Sequence, residues 1–221
     1  MLPKMLRTAV FLLAGFFILV MGFAGRPLEA AAPPDLLDYP WVYLRDGRAI
    51  APDETLVSVI AVGDVLLGRG VAAQPDPLGD VAAWLRNADL TLGNLEGGIT
   101  GNEERGTGNE ERGAMNGERI VLFMPVTAVF QLQQAGFDLL GLANNHSMDG
   151  GEDGLRETAV RLRQFGLVPL GNPQNEPLQP EMRTVNGLTF AFFALNAIPD
   201  PALPAHPFTL SPAHLQAIAA A

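Results

Sequence analysis

Asn144, Asn145, His146 and Asp149 fall together in "GLANNHSMDGG", directly after an apolar run and before a segment of helical spacing. The chain has only 3 histidines, so one set among two amides and an acid is a chemical signal. Amide and carboxylate oxygens suit hard divalent cations, and an imidazole beside them can give a proton or a hydrogen bond to a phosphoryl-type oxygen. Two other places in the chain repeat this setting. Asp64 follows the apolar stretch "LVSVIAVGD", and Asn94 and Glu96 follow "ADLTLGNLEGG". Each group also has a plainer reading. Asp64 suits a turn acid after a strand, Asn94 and Glu96 suit a strand end beside Gly97-Gly98, and His146 suits a structural histidine in a tight loop. Asp149 with Gly150-Gly151 reads as the cap of the following helix rather than an ion contact.

These residues need elements to bring them together. "LVSVIAVGD" is β-branched and nearly continuously apolar, which predicts a strand covered on both faces, as in a mostly parallel sheet. "ADLTLGNLEGG" repeats the pattern after a helix over Asp80 to Asn87, and "FDLLGLANNH" repeats it after a helix that Pro125 starts and Gly136 stops, with Val126, Val129 and Phe130 on one face. From Glu152 to Phe165 the spacing of Leu155, Ala159, Leu162 and Phe165 predicts a helix ended by Gly166. "GLVPLG" reads as a short strand, and Asn186-Gly187 as the turn of a hairpin. Alternating strands and helices predict a layered α/β fold. In such folds ligands bind beyond the carboxyl ends of strands, where all the polar candidates fall.

Composition bounds the function. With 221 residues, no cysteine, 48% hydrophobic residues and a net charge of −10, the chain suits one globular domain with extensions. Its 14 basic against 24 acidic residues argue against nucleic acid, which is bound through clustered Lys and Arg. Anionic polymers are repelled too unless metal ions reverse the local field. Lys4 and Arg7 precede an uncharged run of 18 residues, Thr8 to Gly25, followed by Ala30 and Ala32 as a small-x-small pair. Residues 1–32 are therefore expected to be a signal peptide or an N-terminal membrane anchor, residues 33–55 a linker, and residues 56–221 the domain. Either reading of the leader makes the protein secreted or anchored to the outer face of the cytoplasmic membrane. The tandem repeat "GNEERGTGNEERGA", residues 101–114, lacks packing residues and predicts a mobile loop.

Taken in order, "VSVIAVGDVLLGRGV", "ADLTLGNLEGGIT", "AGFDLLGLANNHSMDGGEDGLRETAVRLRQFGLVPLG" and "VNGLTFAFFALN" resemble the CapA-type capsule-synthesis family of the calcineurin-like metallophosphoesterase superfamily, associated with poly-γ-glutamate capsule production. The resemblance covers roughly residues 56 to 198. It implies a four-layer α/β sandwich of the metallophosphoesterase type with a dinuclear metal site (Mn, Fe, Zn or Mg). Asp64 matches the first metal-binding aspartate, Glu96 lies in the family's Asn-x-Glu segment supported by Asn94, Asn145 matches the metal-binding asparagine, and His146 the substrate-contacting histidine. Asn144 takes a supporting place beside them.

The match departs in two ways. Leu66 stands where ordinary metallophosphoesterases carry a histidine, and the capsule family generally shows a hydrophobic residue there as well. The family's later His-Trp-Gly and Gly-His-His-Pro-His segments are missing, and neither His206 nor His214 lies in such a context. The chain is therefore expected to be the N-terminal portion of a longer family member. Its expected role is capsule or poly-γ-glutamate biosynthesis, export or anchoring, with an anionic polymer or a membrane-bound biosynthetic complex as partner. The alternative is a metal-dependent hydrolase of a phosphoester or related linkage.

Overall fold

Four parallel strands carry the architecture of the computed structural model, which describes residues 53–101, 120–171, 179–198 and 211–220. These all lie in the unit Pro34–Ala221; the unit Met1–Pro33 is outside them. The predicted leader, most of the linker, the tandem repeat from residue 102 and His206 are likewise outside the described residues. In chain order the elements are β1 (Val59–Val65), a 3-10 turn (Arg69–Ala73), α1 (Gly79–Asn87), β2 (Leu90–Leu95), β3 (Gly98–Thr100), β4 (Phe123–Pro125) and α2 (Thr127–Ala135). They continue with β5 (Leu139–Gly141), α3 (Gly151–Gln164), β6 (Val168–Leu170), β7 (Glu181–Val185), β8 (Leu188–Phe192) and α4 (Pro212–Ala220).

The main sheet has the order β1-β2-β5-β6 and is parallel throughout. Successive residues of a strand point to opposite faces, and β5 shows the result. Leu140 joins a core with Leu85 of α1, Leu132 of α2 and Leu155 and Leu162 of α3. Its neighbour Leu139 turns to the other face, where Leu90 and Leu170 meet Val185, Phe190 and Phe192 of the β7–β8 hairpin. The described residues thus form a helical layer, a parallel sheet and a hairpin layer, an α/β fold of the metallophosphoesterase type.

Polar groups pin the layers to one another. The Thr91 hydroxyl donates to the Leu85 carbonyl at 2.7 Å, and the Thr91 N–H donates to the Asp138 carboxylate at 2.7 Å, which ties β2 to α1 and to the start of β5. Thr158 of α3 accepts from the Ile99 N–H at 2.9 Å and anchors β3. The hairpin turns at Asn186 and Gly187, both with positive φ (50° and 79°), as a primed turn requires.

Several expectations change. β1 is not covered on both faces among the described residues: it stands at an edge of the main sheet with Val59 40% and Val62 37% exposed. Beside it lies a groove of about 650 Å³ whose lining includes Ile60, Val62, Asp64, Leu78, Val81 and Trp84. Continuous apolarity reports the capacity for burial, not which neighbours supply it. Pro125 ends β4 instead of starting a helix, and α2 begins at Thr127. Its buried face is Ala128, Val129, Leu132 and Ala135, while Phe130 is 54% exposed. The short parallel pair β3–β4 left no readable pattern, because strands of this length carry too few residues for a period.

Candidate functional site

The parallel register delivers the polar candidates to one rim. Asp64 lies opposite Asn94, and Asn94 lies opposite Gly141, one step before the loop that carries Asn144, Asn145 and His146. Adjacent parallel strands stand about 4.8 Å apart, so residues at their carboxyl ends become neighbours although some 80 positions separate Asp64 from His146. Glu96 is placed one residue beyond β2 by its N–H, which donates to the Val65 carbonyl at 3.0 Å. The chain then turns at Gly97 with φ of +113°, where a Cβ would stand 2.5 Å from the Leu122 carbonyl oxygen. Only glycine lets β4 approach this closely behind Glu96.

The amide network has a single consistent orientation. Asn144 is buried, and its Nδ2 donates to the Leu95 carbonyl at 2.8 Å while its Oδ1 accepts from the His146 N–H at 3.0 Å. A carbonyl can only accept and a backbone N–H can only donate, so these two partners decide which end of Asn144 is nitrogen. Its second N–H then donates to Asn94 Oδ1 at 2.9 Å. Asn94 must in turn direct its nitrogen outward, and Nδ2 donates to Asp64 Oδ1 and Glu96 Oε2, both at 2.8 Å. Asn94 holds the two carboxylates, and its own oxygen is taken by Asn144.

Two carboxylates gathered in this way repel one another. Glu96 has its pKa raised, first by burial and then by the charge of Asp64, with a small push from Asp149; the His146 charge and the Asn94 hydrogen bond work against the rise. His146 presents Nε2 to Glu96 Oε1 at 3.8 Å, and its Nδ1 meets Asp149 Oδ2 at 2.9 Å. The Leu122 N–H also donates to that Asp149 oxygen. Asp149 is therefore not the helix cap expected above: α3 takes Gly150 as its N-cap with no side-chain cap bond, and Asp149 turns back toward the histidine. The turn itself is closed by Ser147, whose hydroxyl donates to the Asn144 carbonyl at 2.8 Å. The spacing of three between His146 and Asp149 was the available signal, equally readable as a cap.

The structure thus brings Asp64, Asn94, Glu96, Asn144 and His146 into one connected cluster, with half-buried Asn145 between the last two in the same turn. His214 is elsewhere in the chain's economy of contacts: its N–H and ring pair with Ser211 at the start of α4. The chemistry of this donor set fits a divalent cation, because burial and the neighbouring Asp64 raise the Glu96 pKa and a hard cation would relieve both carboxylates. Yet no group of three or more acidic, histidine or cysteine side chains converges on one point among the described residues.

Comparison with known proteins decides the family. The bacterial capsule synthesis protein PGA_cap model matches residues 58–214. The chain belongs to this family. It is 27% identical over 138 residues to the capsule biosynthesis protein CapA of Bacillus anthracis, a match covering 58% of this chain and 32% of that protein. It is also 34% identical over 116 residues to each of two uncharacterized Sinorhizobium fredii proteins, y4uA and y4sH, covering 52% of this chain and 24% of each. The PGA_cap match thus takes in every described strand and the cluster from Asp64 to Asp149, while the matched segment spans a quarter to a third of these relatives' lengths.

Proposed function

We propose that this PGA_cap protein works outside the cytoplasm in making, exporting or anchoring an anionic capsule polymer such as poly-γ-glutamate, through a metallophosphoesterase-like site at the rim of its parallel sheet. The observation that supports this most is the Asn144–Asn94 relay, which aims one amide nitrogen at both Asp64 and Glu96. Asp64, Glu96 and Asn145 would hold a divalent ion. Such an ion would neutralise an anionic substrate and lower the pKa of a bound water. The chain's own residues do the rest. Asn94 keeps the carboxylates at a set spacing, and His146, held by Asp149, directs Nε2 toward the same space and would give a hydrogen bond or proton to a leaving oxygen. The net charge of −10 makes a cation at the site the natural bridge to a polyanion.

A second reading is favoured by the His146–Asp149 pair: a hydrolase of a phosphoester or related linkage, since an imidazole braced by a buried carboxylate is the usual form of a general acid or base. The full chain assayed with Mn²⁺ on bis(p-nitrophenyl) phosphate and p-nitrophenyl phosphate separates the two. Turnover that falls about 100-fold or more in His146→Ala supports the hydrolase; binding of Mn²⁺ without turnover supports the non-catalytic component. Loss of neither turnover nor Mn²⁺ binding in Asp64→Asn and Glu96→Gln would remove the site reading altogether.

A further inference from the structure

We infer that the apolar groove beside β1 receives the hydrocarbon part of an amphiphilic phosphate ester, a lipid-linked phosphate, whose head lies at the Asp64 and Glu96 carboxylates; this rests on the cation-site reading given above and names a substrate class for that site. The groove is walled by β1 and α1. β1 contributes Ile60, Val62 and Asp64, and α1 contributes Val81, Trp84 and Leu85, the spacing of one helix face. Asp64 is the one charged residue of this lining among the described residues. It is also a member of the cluster, since the Asn94 Nδ2 that donates to its Oδ1 donates to Glu96 Oε2 as well. Along β1, Ile60 stands opposite Thr91 near the start of β2 and Asp64 opposite Asn94 at the rim. The strand therefore leads from the apolar wall to the carboxylates over roughly 13 Å.

Three apolar residues of the lining face water: Val62 is 37%, Val71 41% and Val81 46% exposed. A concave space of this size walled by hydrophobic side chains, with few polar groups, is the usual form of a small-molecule site. Its two parts call for different chemistry. A bare polyanion meets a cation at Asp64 and Glu96 but leaves the apolar wall in water. A free hydrocarbon covers the wall and makes no use of the rim. An alkyl chain joined to a phosphoryl head satisfies both, the chain by removing apolar surface from water and the head through the ion, without which the two carboxylates repel it.

The test is a series of alkyl phosphates from ethyl to octyl, each below its micelle-forming concentration, titrated calorimetrically into the full chain with Mn²⁺. We expect affinity to rise about two- to fourfold for each added methylene, the range from half to full burial. Octyl phosphate should also shift the fluorescence of Trp84, read in Trp41→Phe because the chain has 2 tryptophans. Val71→Asp and Val81→Asp alter exposed positions, so both should melt with the parent and flatten the rise. Asp64→Asn should weaken the whole series alike and keep its slope. Equal affinity for ethyl and octyl phosphate would overturn the inference, and so would a rise that both valine variants leave intact. A rise indifferent to Mn²⁺ and to Asp64→Asn would mean that no head is held at the cluster, which overturns it too. A parent that sediments as a dimer, shows no rise and dissociates on Val81→Asp would give the groove to a second copy instead. Mn²⁺ titrated alone separates the two readings: ion binding with a flat series removes the groove and spares the cation site, whereas binding of neither ion nor octyl phosphate removes both.

Discussion

Glu96 is costly to the fold where it stands, half-buried beside Asp64. Its raised pKa means that the folded protein favours the neutral acid more than the unfolded chain does. By linkage, this contribution to stability is fully present below the unfolded pKa and is lost as pH rises through the folded one, so ionised Glu96 is a burden at neutral pH. Glu96→Gln should therefore raise the melting temperature near neutrality, and the advantage should shrink as the pH is lowered through the carboxylate range. The substitution should at the same time weaken Mn²⁺ binding in a calorimetric titration. A variant no more stable than the parent at any pH would contradict the charge crowding at Asp64 and Glu96. At this scale the types of the cluster residues were legible, because Asp, Asn, Glu and His at strand ends point to oxygen-rich chemistry. The partners were not. Asn94 as a clamp for two carboxylates and Asp149 as a brace for His146 depend on directions of side chains that spacing along the chain does not contain.

Among the elements, the periodic helices, the main-sheet strands and the hairpin were readable, and the short β3–β4 pair was not. α1 and α3 lie within a residue of their expected bounds, with Leu155, Ala159 and Leu162 buried as their spacing requires. α2 shows where the reading failed: Pro125 fits a helix start, yet its backbone is taken by parallel pairing with Thr100. Phe130 likewise satisfied helical spacing and is exposed, since three apolar positions can be fitted to more than one stripe. The end of α2 was read correctly. Gly136 has φ of +97° and its N–H donates to the carbonyls of Leu132 and Gln133, closing the helix in a left-handed cap. A Cβ there would stand 2.5 Å from Arg86 Cγ and 3.0 Å from the Arg86 backbone in α1. Gly136→Ala should cost more than about 1 kcal/mol through backbone strain, with an added cost for displacing Arg86. Urea denaturation followed by circular dichroism measures it, and a change of only a few tenths would show that the α1–α2 contact yields easily.

Across the described residues, the helical layer and the sheet share one core, and Leu132 belongs to it with no exposed surface. Leu132→Ala should destabilise the protein by about 2–5 kcal/mol, lowering the urea midpoint without moving residues of the rim. If the midpoint is unaffected, the core is looser than its packing indicates. The alternating apolar segments by themselves determined that the chain would be α/β, where its strand ends would fall and that those ends would carry the chemically capable residues, because burial period and strand polarity are written locally. Only the tertiary structure decided the strand order β1-β2-β5-β6, the exposure of β1 at an edge, and the convergence of Asp64, Glu96 and His146. Those are choices of partner between distant segments, settled by which packing buries most apolar surface while leaving no amide of the rim unbonded, and a linear pattern cannot rank them.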